Sequence, residues 1–111
     1  MKKNHLEINE LEKLLNTIKE FENRIIFIDF YAEWCVPCMN FLPIFKNISK
    51  IYENFIFISS NSEEIRSYFN IYMLPTFIVF LNNDEIFREE LAPEKKDFIQ
   101  TIEETIKLLK K

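Results

Sequence analysis

Apolar residues recur along this chain with two periods, and the switches between them predict its elements. Leu11, Leu14, Leu15, Ile18 and Phe21 follow helical spacing, with Asn9 and Glu12 placed as a capping pair at the start. Ile25 to Tyr31 is a run of β-branched and aromatic residues interrupted only by Asp29, which predicts a central strand covered on both faces. Phe41, Leu42, Phe45, Ile48 and Tyr52 mark a helix from Cys35 to about Glu53, and Pro43 inside it removes a backbone hydrogen bond and bends the axis. Phe55 to Ile58 predicts a second buried strand, after which Ser62 caps a short helix with Glu63 and Glu64 in its first turn.

The last third changes rhythm. Thr76 to Leu81 and Glu85 to Leu91 flank Asn82-Asn83-Asp84, residue types that tolerate the positive φ of a tight hairpin. Pro93 stands at a first helical position, and Phe98, Ile99, Ile102, Ile106 and Leu109 then form one stripe. Helices alternate with the early strands, and a hairpin plus a helix closes the chain. The fold class is therefore α/β: a central mixed sheet, parallel in its first part, flanked by helices on both faces.

Composition narrows the function. With 111 residues, 48% of them hydrophobic, the chain suits one compact domain over residues 1–111, and a monomer is expected. A net charge of -4 offers no footprint for a phosphate backbone, and the lysines at 107, 110 and 111 suit a helix C-terminus, so no nucleic-acid partner is expected. The Met1-Lys2-Lys3 start runs into polar residues rather than the apolar core of a secretory signal. Nothing approaches the roughly 20 apolar residues of a membrane span, so no membrane partner is expected. Two cysteines three positions apart form no structural framework, which fits a reducing, cytoplasmic location. Glycine is absent, where about eight would be usual, so positive-φ positions must fall to Asn or Asp. The 12 phenylalanines mostly follow strand or helix periodicity and are read as core.

The chemistry lies in Trp34-Cys35-Val36-Pro37-Cys38, between the first strand and its helix. Residues three apart in a first helical turn share a face, so the two sulfurs can form and break a disulfide with little backbone movement. Unpaired amides and the dipole at a helix N-terminus favour a thiolate over the thiol, whose free pKa is about 8.5. Cys35 is accordingly the accessible nucleophile, and Cys38, deeper in the turn, resolves the mixed disulfide. Such a pair could instead be half of a zinc site, but there is no second pair and His5 is the only histidine. A pair of inert buried thiols would leave Trp34 and Pro37 beside the cysteines to chance. No metal and no cofactor beyond the cysteine pair are expected.

Asp29 admits two readings. It is a carboxylate hydrogen-bonded at a strand end, or a buried acid of raised pKa that exchanges a proton with the Cys38 sulfur. Pro75, in Met73-Leu74-Pro75-Thr76, reads from the residues alone as a loop proline with a trans bond. Trp34 departs from the core pattern and is assigned to a contact surface.

The run Ile28-Asp29-Phe30-Tyr31-Ala32-Glu33-Trp34-Cys35-Val36-Pro37-Cys38, then Pro43, Leu74-Pro75-Thr76 and Phe80-Leu81-Asn82-Asn83, resembles the thioredoxin family over nearly the whole chain. The resemblance implies the thioredoxin fold, with Cys35 as nucleophile, Cys38 as resolving cysteine and Asp29 as the buried acid assisting it. It implies that Pro75 is cis and packs against the cysteines, and that the Leu74 main chain pairs with an extended substrate. Trp34, Pro37 and Met73 complete the implied docking surface.

Four positions depart from the family pattern. Val36 stands where glycine is usual, which bears on redox poise. Phe57 stands where many members carry a lysine near the acid, so Asp29 should hold its proton more tightly. Asn83 replaces the hairpin glycine, and Glu90-Leu91-Ala92 replaces a glycine-containing stretch beside the substrate groove, which should narrow it. The implied activity is protein-disulfide reduction by dithiol exchange, with disulfide-containing proteins as substrates and thioredoxin reductase as electron donor. Two alternatives are a redox protein of an oxidising compartment, of the cytochrome-maturation type, and a non-catalytic binding module.

Overall fold

The computed structural model describes residues 3–90 and 94–109. In chain order the elements are β1 (His5–Glu7), α1 (Leu11–Glu20), β2 (Ile26–Phe30), α2 (Val36–Ser49) and β3 (Ile56–Ser60), then α3 (Glu63–Tyr68), β4 (Thr76–Leu81), β5 (Asp84–Glu90) and α4 (Lys95–Leu109). The five strands lie in the order β1-β3-β2-β4-β5. β1, β3 and β2 are parallel, and β4 and β5 are antiparallel additions on the other side of β2.

Strand alternation divides the core in two. Ile26, Ile28 and Phe30 of β2 point to one face, where they meet Leu14 and Ile18 of α1 and Ile65 of α3. Phe27 points to the other, where Phe41, Phe45 and Ile48 of α2 and Phe98 and Ile102 of α4 cover it together with Phe57 and Phe77. Because successive strand side chains alternate in direction, Asp29 projects with Phe27 toward the α2 side. β2 is buried at every position, as a strand covered on both faces must be.

The absence of glycine has the anticipated outcome: the three positive-φ residues among those described are Asn70 (57°), Asn82 (54°) and Asn83 (69°). Asn82 and Asn83 form the two-residue turn between β4 and β5, and Asp84 is already in the strand. Asn70 ends α3. The Ile71 amide donates to the Arg66 carbonyl at 2.8 Å and the Asn70 amide to Ser67 at 3.2 Å, the paired bonds of a left-handed helix terminus.

Several local expectations are corrected. β1 is absent from the periodicity reading because three residues with one aliphatic side chain carry no pattern; its pairing with β3, His5 to Phe57 through Glu7 to Ser59, makes it a strand. Asn9 does not cap α1. Glu10 is the N-cap and supplies no side-chain bond, while Asn9 Oδ1 accepts from the Asn61 amide at 2.7 Å. α2 runs through Pro43 but stops at Ser49. There Asn4 Nδ2 lies 2.8 Å from the Ser49 carbonyl and 3.0 Å from those of Tyr52 and Phe55, and so ties the approach to β1 onto the end of the helix. Leu15 and Leu109 of the predicted apolar stripes are exposed. The expectations for Leu91, Ala92 and Pro93 lie outside the described residues.

Candidate active site

The strand-to-helix junction at the end of β2 places the two sulfurs. Tyr31 continues the strand's pairing through its amide to the Ser60 carbonyl at 3.0 Å, and the Cys35 amide donates back to Ala32 at 3.1 Å. Cys35 is the N-cap of α2, in extended backbone conformation. Its sulfur therefore stands where a capping oxygen usually does, and the Cys38 amide donates to it at 3.3 Å. Val36 and Pro37 occupy the first two helical positions. A proline there loses only an amide that would be unpaired anyway.

Cys35 and Cys38 form a disulfide, with Cα atoms 5.2 Å apart, within the range that unstrained disulfides span. Cys38 is fully buried and Cys35 is 7% exposed, in a cluster with Tyr31, Ala32 and Leu42. Cys35 is thus far less exposed than the freely accessible nucleophile expected, though more exposed than Cys38. Around it the surface is apolar and open: Trp34 is 78% exposed, and Val36, Met39, Tyr72 and Met73 are exposed as well. Pro37 is exposed beside them.

The loop before β4 approaches the sulfurs from the far side of the groove. The Leu74–Pro75 peptide bond is cis, against the trans bond read from the residues alone and as the family resemblance implied. Pro75 is buried, and Leu74 packs against the cysteine cluster. Thr76 Oγ1 donates to the Met73 carbonyl at 2.6 Å and closes the loop. A groove of about 460 Å³ lies between this loop and the cysteine turn. Trp34, Cys35 and Leu74 line it, and so do Glu63, Arg66, Ile71 and Tyr72. Sequence reasoning missed these last four. An aromatic residue immediately before Met73-Leu74-Pro75 was a usable signal for Tyr72. Nothing in the local pattern of α3 marks Arg66.

Asp29 is fully buried, and among the described residues neither carboxylate oxygen has a hydrogen-bond partner. No described residue supplies the bond that the strand-end reading called for. Desolvation, and secondarily the nearby Glu7 carboxylate, pushes its pKa well above the ordinary 3.8, because an unpartnered charge is far costlier to bury than a neutral acid. In register it faces Ser59 on β3 and Phe77 on β4. Phe57 is one step away on the same face of β3, stacked on Phe27 at 5.1 Å, and brings no charge. Glu7 itself accepts from the Tyr31 hydroxyl at 2.9 Å. Among the described residues, no group of three or more His, Cys, Asp or Glu side chains is placed to hold a metal, and no helix is long and apolar enough to cross a membrane.

Comparison with known proteins agrees with this geometry. The thioredoxin family profile matches residues 5–110. The chain is 35% identical over 72 residues to Thioredoxin-1 of Caenorhabditis elegans, covering 62% of this chain and 63% of that protein. It is 37% identical over 84 residues to a Caenorhabditis elegans peptide-N(4)-(N-acetyl-beta-glucosaminyl)asparagine amidase, covering 72% of this chain and 14% of the amidase. The match therefore spans less than two thirds of either relative. A crystal structure of Schistosoma mansoni thioredoxin superposes with a TM-score of 0.80 at 29% identity, covering 96% of this chain and 97% of that one. With the family profile spanning the sheet, the cysteine turn and the cis-proline loop alike, this chain belongs to the thioredoxin family.

Proposed function

We propose that the protein reduces disulfides in other proteins by dithiol exchange at Cys35 and Cys38. The observation that carries this is the Cys38 amide donating to the Cys35 sulfur at a helix N-cap. That bond, with the helix dipole, favours the thiolate of Cys35 in the reduced protein. The Cys35 thiolate attacks one sulfur of the substrate disulfide, forming a mixed disulfide and expelling the other substrate sulfur as a thiolate that takes up a proton. Asp29, in the fraction that is ionised, takes the proton from Cys38 and returns it to the departing substrate thiolate, while the Cys38 thiolate attacks the Cys35 sulfur. The mixed disulfide breaks, the second substrate thiolate leaves and is protonated, and the Cys35–Cys38 disulfide remains. The substrate gains two electrons and two protons, and the dithiol loses them.

Asp29 suits its part because burial raises its affinity for a proton toward that of a thiol. Trp34, Pro37 and Met73 present the apolar docking surface, and the Leu74 main chain takes the substrate as an added strand beside Pro75. Re-reduction needs a two-electron donor, and thioredoxin reductase is the donor that family membership suggests. A reducing, cytoplasmic location and a monomeric state complete the reading. Its support is a chain with two cysteines in all, both in the exchanging pair.

The test is dithiothreitol-driven reduction of insulin. Cys35→Ser should be inactive, and Cys38→Ser should accumulate mixed disulfides with its targets. Full activity in Cys35→Ser would refute the assignment.

A further inference from the structure

Among the described residues, Arg66 is the one cation on the groove that Cys35 shares. It sits in the last turn of α3, and its Nη1 donates to the Tyr31 carbonyl at 2.8 Å, just upstream of the cysteine turn. Its own carbonyl is held by the Ile71 amide at 2.8 Å, so backbone and head group are both fixed. No carboxylate lies within ion-pair distance of it among the described residues, where the sole ion pair is Arg88 with Glu85. A guanidinium carries five donors and keeps its charge at every working pH. One donor is used internally, and Arg66 lines the groove together with Trp34, Tyr72 and Cys35.

We propose that Arg66 determines substrate specificity by binding a carboxylate carried within one or two residues of the cysteine that Cys35 attacks. The inference rests on the reductase reading above and names the class of disulfide it prefers. The chain as a whole carries a net charge of -4, so acidic substrates gain nothing from the general field. The attraction is local, and it acts only on a carboxylate presented at the groove. A carboxylate matches the guanidinium fork in geometry. Trp34 and Tyr72, both exposed, line the same groove and offer apolar surface to the rest of the substrate. Glu63 lines the same groove and is exposed, one helical turn before Arg66. It does not pair with Arg66, but its negative charge on the groove opposes an incoming carboxylate.

The experiment uses three disulfide-linked peptides that differ only in the residue following the attacked cysteine: Glu, Gln or Lys. Reduction is followed as kcat/KM for wild type, Arg66→Met, Arg66→Lys and Glu63→Gln, at low salt and in 1 M NaCl. Wild type should favour Glu over Gln by about fivefold, the scale of a partly exposed charge pair, with the difference in KM and lost at high salt. Arg66→Met should bring the Glu-to-Gln ratio to about one, Arg66→Lys should restore part of it, and Glu63→Gln should raise it. A ratio that is already one in wild type, or that survives Arg66→Met, overturns the proposal while leaving the reductase reading intact. Failure of wild type to reduce the Gln peptide overturns both. The wild-type ratio and its salt dependence decide the matter even if a variant does not fold.

Discussion

Replacing Asp29 with asparagine isolates the electrostatic consequence of burying an acid without a partner. In the folded protein Asp29 has no exposure and no hydrogen bond from any described residue to either oxygen, so it keeps its proton well above the pH at which the unfolded chain, with a pKa near 3.8, has lost it. Above that pH the unfolded state binds one proton fewer than the folded state, and stability falls as pH rises. The gradient for one retained proton is about 1.4 kcal/mol per pH unit, and it ends where the folded acid finally ionises. Asp29→Asn cannot titrate. Its stability relative to wild type should therefore climb by about 1.4 kcal/mol per unit from just above pH 4 upward and then level off.

His5 works in the opposite sense. Its pKa is lowered to about 4 by burial first and by Lys46 and Lys3 next, so folding gains stability as pH rises from about 4 toward 6.5. In wild type the two effects oppose one another over that interval, and Glu89, whose pKa is also raised by burial, acts in the same sense as Asp29. His5 and Glu89 are common to both proteins and cancel in the difference. The assay is urea unfolding of the oxidised proteins at pH 5, 6, 7 and 8, with the difference in unfolding free energy plotted against pH. The constant cost of burying an amide shifts that plot vertically and leaves its slope untouched. A flat difference between pH 5 and 7 would refute the claim that Asp29 is held neutral.

Three further measurements bear on the parts that hold the site. Phe98, fully buried, meets Phe41 at 5.2 Å and Phe77 at 5.1 Å between ring centroids, and Phe98→Ala should cost about 3–5 kcal/mol in urea unfolding; a loss under 1 kcal/mol would mean that α4 is not seated on the sheet. Asn70→Gly should stabilise by up to about 1 kcal/mol, since a left-handed residue at φ 57° favours the residue without a Cβ, and Asn70→Ala should do the reverse. Ser62 Oγ accepts from the Ile65 amide at 3.2 Å, so Ser62→Ala should cost about 1 kcal/mol; no change in the urea midpoint would show that this cap contributes nothing to α3.

How much was legible follows from range along the chain. The α1 and α4 stripes, the buried β2 run, the Ser62 cap and the Asn82-Asn83 turn each depend on residues within a few positions of one another, and periodicity or turn chemistry encodes them directly. The cysteine turn belongs with them: nucleophile, helix start and amide donor all lie between Cys35 and Cys38. The family resemblance supplied the cis bond before Pro75, which local pattern alone assigned as trans.

Tertiary structure decided whatever depends on distant partners. β1 becomes a strand because β3, some fifty residues on, offers it a ladder. Asn9 gives up a cap to bond Asn61 across the same distance, and Asn4 ends α2 from outside it. Whether Asp29 would find a hydrogen bond was open until the strand register set Ser59 and Phe77 beside it and left its oxygens unpaired among the described residues. Arg66 reaches the sulfur's groove only because α3 and the Tyr31 carbonyl are brought together by the parallel crossover. A sequence pattern records which face a residue prefers, and it holds no record of what stands opposite once the sheet has assembled.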